Sequence, residues 1–103
     1  MDYLLKKFLP RIEFDSYEDF KANYTVNVPE NFNFGFDVVD AWADAEPEKK
    51  ALVWCDEEDD EKIFTFTDIK RLSNKAANFF KSLGVKKGSV VMLILRRRGE
   101  YWV

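Results

Sequence analysis

Two stretches of this chain concentrate charge densely enough to do chemistry. Residues 56–61 read DEEDDE, and residues 96–98 are three consecutive arginines. A carboxylate run can hold a divalent cation, or it can split its pKa values into an acid and a base. A calcium loop needs ligands at alternating positions and a glycine at its sharp bend. A catalytic pair needs burial to separate the two pKa values. Asp56–Glu61 offers neither glycine nor cover, so it reads as a solvated turn. Arg96–Arg98 follows an apolar run, at what would be the carboxyl end of a strand, where open α/β sheets bind ligands. Three guanidinium groups there could grip a phosphate or carboxylate in bidentate fashion. A basic triplet alone is unspecific, and the plainer reading is that it ends the strand and pairs with acids elsewhere. Cys55, in LVWC, lacks a histidine partner and reads as a small buried hydrophobe rather than a nucleophile. Trp42, Trp54, Phe79 and Phe80 stand at core spacing. Lys6, Lys7 and Arg11 in KKFLPR are too few to hold a membrane surface.

What is absent narrows the chemistry further. The 103 residues contain no histidine, which removes His-based proton transfer and His metal ligation from these residues. The four glycines, Gly35, Gly84, Gly88 and Gly99, are too scattered to build a phosphate-cradling loop. With 16 basic and 19 acidic residues and a net charge of −3, no basic excess points to nucleic acid or an anionic membrane. A single cysteine gives no disulfide framework and suits a reducing compartment. The start MDYLLKKFLPRIEFDSYEDF has neither the apolar core of a signal peptide nor the acid-free composition of a transit peptide. The longest apolar run, Val90–Leu95, is too short to span a bilayer. The expectation is a soluble, cytoplasmic chain of one domain at most.

The elements that must position these residues follow from periodicity. Ser16 caps a short amphipathic helix carrying Tyr17, Phe20 and Tyr24, with Glu18 and Asp19 in its first turn. TVNVPENFNFGF reads as an extended segment laid over a neighbouring surface. FGFDVVDAWADAEPE places Phe36, Val39, Trp42 and Ala43 on one helix face, closed by Pro47. Ala51–Cys55 and Lys62–Thr65 form a hairpin around the acidic run. Ile69, Leu72, Ala76, Phe79, Phe80 and Leu83 recur at helical spacing over residues 67–83, with Thr67 as cap and Gly84 as left-handed stop. Ile69, Leu72, Ala76, Phe79 and Leu83 should face the sheet. Val90–Leu95, apolar without alternation, reads as a strand buried on both faces. Strand, helix and strand make a right-handed βαβ unit. The fold class is therefore α/β: a hairpin plus a βαβ unit of about three strands, with two short N-terminal helices, an incomplete piece of a larger domain. Glu100–Val103 reads as the first turn of a further helix, so the chain reads as the beginning of something longer.

The order FNFGFDVVDAWA, ALVWCDEE and FTFTDIKRLSNKAANFFKSLGVKKGSVVMLILRRRGEYWV resembles the start of AMP-forming acyl-CoA synthetases. These belong to the adenylate-forming superfamily, and the nearest likeness is to acetyl- and medium-chain members. The resemblance covers residues 32–103, with a looser match over Tyr17–Pro29. Its most specific part is the aromatic-Thr-aromatic of Phe64–Phe66, the Asn-x-x-Ala of Asn74–Ala77, and the Leu-Gly-Val-x-x-Gly turn of Leu83–Gly88. RRRGEYWV departs from the prolines that similar synthetases carry there. The resemblance implies residues 1–31 as a leader with a short helix and residues 32–103 as the start of the large AMP-binding domain. It also implies activation of a carboxylic acid by ATP and Mg²⁺ to an acyl-adenylate, which coenzyme A then takes over. The phosphate loop, its Lys and the other catalytic positions of relatives lie downstream of the matched region. No catalytic, cofactor-binding or metal-binding residue is therefore assigned here, and the segment alone is expected to be inactive. Its expected partners are the remainder of the synthetase chain, a small carboxylic acid in the full-length enzyme, and further copies of itself, with neither nucleic acid nor membrane. Two alternatives stay open: a stand-alone α/β interaction domain, and the start of another adenylate-forming enzyme, such as a peptide-synthetase adenylation domain or an aryl-CoA ligase.

Overall fold

A capping box sets the start of the longest helix, α4 (Phe66–Ser82). The Thr65 hydroxyl accepts from the Asp68 N–H at 3.1 Å, and the Asp68 carboxylate accepts in return from the Thr65 N–H at 3.1 Å. Two otherwise orphaned donors are satisfied together. The cap is thus Thr65 rather than Thr67. The Thr67 hydroxyl donates instead to the Pro47 carbonyl at 2.9 Å, tying the first turn to the loop before the hairpin. At the other end Gly84, at φ 80°, closes the helix. The Val85 N–H reaches the Phe80 carbonyl and the Gly84 N–H that of Lys81, each at 3.1 Å. This is a Schellman stop, and its left-handed residue favours glycine. The computed structural model describes residues 2–58, 60–96 and 98–103, and of Asp2 and Tyr3 the backbone alone.

Strands β1 (Lys50–Cys55) and β2 (Glu61–Thr65) pair antiparallel, as expected, with Leu52 opposite Phe64, Val53 opposite Ile63 and Trp54 opposite Lys62. The register is irregular between Lys50 and Leu52. Asp56 closes the acidic turn. Its Oδ1 accepts from the N–H groups of Glu58 and Asp60, both at 3.0 Å, and its own N–H donates to the Asp60 carbonyl. Among the described residues the sheet has these two strands only. The mixed α/β class holds, but the third strand does not join it: Val90–Leu95 is not part of a sheet. An extended segment becomes a strand only when a neighbour takes up its backbone groups, and no described element does so.

The same shortage of cover corrects the face of α4. Ile69 is buried, and Leu72 and Ala76 are half-buried, but residues 77–83 are all exposed, Phe79 at 59%. Phe79 and Leu83 therefore do not face the sheet. A helix of this length runs about 25 Å, and residues 35–45 pack against it together with the short hairpin.

The N-terminal part is built from small motifs. A helix unread in the sequence, α1 (Asp2–Lys6), buries Leu4. Helix α2 (Tyr17–Asn23) has the expected Ser16 cap, whose side chain accepts from the Asp19 N–H. Arg11 clasps Asp19 with two hydrogen bonds of 2.7 and 2.6 Å and lies over the Phe14 ring at 4.8 Å. Phe14 meets Phe20 edge-on at 5.3 Å, and Phe20 meets Tyr24 at 4.8 Å. The segment that follows is extended, but it touches its neighbour only locally. The Asn27 N–H donates to the Phe8 carbonyl at 2.7 Å, and Phe32 meets Phe8 edge-on at 5.6 Å, while Val26 and Val28 remain exposed. Residues Gly35–Asp40 form a π-helical turn that runs into α3 (Ala41–Ala45), which ends two residues before Pro47. The wider turn shifts the inward face. Val38, Val39 and Trp42 are half-buried and Ala43 is buried, whereas Phe36 stays exposed, a correction to the face expected from an α-helical period. Trp42 stacks on Phe66 at 5.7 Å, with Lys49 over its ring at 4.1 Å.

Candidate functional site

The alternation of β1 and β2 gives the hairpin two unlike faces. One carries Leu52, Trp54, Lys62 and Phe64, and on it sits the 3₁₀ turn Gly99–Trp102. Gly99 is buried against this face. A Cβ there would lie 3.1 Å from the Phe64 ring and 3.7 Å from Trp54 Cβ, so any larger residue would press the ring back by a few tenths of an ångström. Lys62 lies over the Trp54 ring at 5.4 Å. The opposite face, with Val53, Ile63 and Cys55, is exposed. Cys55 is therefore not the buried hydrophobe read from its apolar neighbours. It closes a strand that lacks a covering layer on its side.

Three clefts surround the docked turn. The first, about 460 Å³, lies between β1 from Leu52 to Cys55 and the segment carrying Leu95, Arg96, Arg98, Tyr101 and Trp102. The second, about 480 Å³, runs along α4 between Leu72, Ala76, Phe80, Leu93 and Val103. The third, about 300 Å³, separates Trp42, Phe66 and Ile69 from Leu52 and Trp102. All three are open and mostly apolar, and their described lining does not bring polar groups together as a ligand pocket does.

Arg96 and Arg98 line the first cleft, and Arg97 lies outside the described residues. They stand at a bend before the 3₁₀ turn and not at the end of a sheet strand. The Arg98 N–H donates to the Arg96 carbonyl at 2.7 Å, and Arg98 Nε is 3.6 Å from a Glu100 carboxylate oxygen. Of the acidic run, Asp59 lies outside the described residues and Asp56 is spent on closing the turn. Among the described residues no group of three His, Cys, Asp or Glu side chains is placed to hold a metal.

Titration is perturbed at structural joints. Backbone and hydroxyl hydrogen bonds from Thr65 hold Asp68 below the ordinary carboxylate range, with Arg71 adding to them. The Asp15 N–H and the Arg11 guanidinium do the same for Asp19, and the Asn33 N–H and Lys7 for Asp37. Lys70 is raised by its hydrogen bond to Asp44, at 2.7 Å. These groups clasp helix ends and links between elements. They mark scaffold.

Residues 39–103 match the family model described as AMP-binding enzyme. The chain belongs to the AMP-binding enzyme family. Its relatives include the mitochondrial acyl-coenzyme A synthetase ACSM3 of Homo sapiens, 34% identical over 96 residues, covering 87% of this chain and 16% of the relative. Human mitochondrial ACSM4 is 38% identical over 93 residues, covering 82% and 16%, and mitochondrial ACSM5 of Rattus norvegicus is 38% identical over 82 residues, covering 74% and 14%. The chain thus spans about one sixth of the length of these relatives. The sequence resemblance to acyl-CoA synthetases is what the comparisons show.

Among the described residues of this AMP-binding family chain, none form a set that fits ATP with its magnesium. A triphosphate needs convergent N–H donors and a cation to neutralise it. The two left-handed glycines are turn formers here: Gly84 stops α4, and Gly88 stands in the Lys86–Ser89 turn closed by the Ser89 N–H on the Lys86 carbonyl at 2.9 Å. The tightest glycine packing, at Gly99, is filled by Phe64. No helix of the described residues is long and apolar enough to cross a membrane.

Proposed function

We propose that this chain is the N-terminal scaffold portion of an AMP-forming acyl-CoA synthetase. In this reading residues 1–31 are a leader, and residues 32–103 begin the large AMP-binding domain. The whole enzyme activates a carboxylic acid with ATP·Mg²⁺ to an acyl-adenylate, releasing pyrophosphate, and coenzyme A then displaces AMP to give the thioester. The observation that carries the reading is the match over 87% of the chain to a synthetase of which it spans only 16%. A segment so related contributes position rather than reacting groups, in keeping with apolar clefts that hold no phosphate cradle. The partners are the remainder of the synthetase and, for the separate chain, further copies of itself. Cytoplasmic residence belongs to the same reading. The relatives' names place those proteins in mitochondria, so fractionation of tagged protein is the measurement for this chain.

Two measurements test the reading. The coding sequence beyond Val103 should continue into a helix, another strand and a loop rich in Gly, Ser and Thr with one Lys. ATP–pyrophosphate exchange should be at background for the purified chain and appear with the longer polypeptide on adding a carboxylic acid. A stop codon directly after Val103, or exchange by the 103 residues alone, would overturn it. The stop would leave a non-catalytic interaction domain.

A further inference from the structure

We draw no further inference here: the strongest candidate, the open apolar cleft of about 460 Å³ between β1 and the segment carrying Arg96, Arg98, Tyr101 and Trp102, is an unpartnered face, and nothing in the structure shows what covers it.

Discussion

A thiol at the end of a two-stranded hairpin is governed by what covers it, and nothing described covers Cys55. Its strand neighbours are apolar, yet it shares an exposed face with Val53 and Ile63. A solvent-exposed thiol should react with an aromatic disulfide reagent stoichiometrically in native buffer, and a reaction that waits for denaturant would show that this face is shielded. Phe79 makes the parallel case in the helix. A fully buried phenylalanine costs about 3–5 kcal/mol when cut to alanine. At 59% exposure most of its hydrophobic contribution is never collected, so Phe79→Ala should cost less than about 1 kcal/mol in a denaturant melt. A loss of about 3 kcal/mol or more would mean that the ring is packed in solution. One physical reason sets both residues apart from what their neighbours suggest. Apolar type and spacing report which side of an element seeks cover, not whether cover is present.

At the scale of elements, local chemistry was legible and wide context was not. The hairpin, the Ser16-capped helix and the Gly84 stop all rest on residues within a few positions of each other, and they form as read. The start of α4 was misplaced by two residues, although Thr65-x-x-Asp68 is itself a capping-box spacing in the sequence. The aromatic residues on either side of Thr65 made it look like strand, and it is both the last residue of β2 and the cap of the helix. The π turn at Gly35–Asp40 has no local signature that a 3.6-residue period can detect. The third strand does not form because pairing is a property of two segments, and no described element pairs with Val90–Leu95. The cap assignment makes a clear prediction. Thr65→Ala should cost about 0.5–2 kcal/mol by losing the N-cap, and Thr65→Ser should keep most of it. Thr67→Ala should fall below Thr65→Ala, since it loses one exposed hydroxyl bond. The reverse order in urea melts would return the cap to Thr67.

Across the whole molecule, a radius of gyration of 17.2 Å against about 13 Å for a compact chain of this length means that polar clasps carry an unusual share of the organisation. Three are carboxylates held in their ionised form. Asp37 ties Lys7, near α1, to the π turn, Asp19 ties Arg11 to α2, and Asp68 caps α4. Each is shifted below the ordinary aspartate value by hydrogen bonds that the unfolded chain does not make. Stability from such a group is fully present above the unfolded pKa, near 3.9, and is lost as pH falls through that value towards the lower folded one. Lys70 is shifted upward, so it keeps its proton at all lower pH and its own titration plays no part in acid. The chain should therefore hold its helix content from neutral pH down to about 5 and lose it at lower pH, as followed by circular dichroism. Replacing Asp68 with asparagine should lower the content of α4 at neutral pH and flatten the acid limb, because the variant has no proton to take up at that cap. An acid limb as steep in Asp68→Asn as in the parent would show that the helix cap does not set the acid response and that the losses come from the clasps at Asp19 and Asp37.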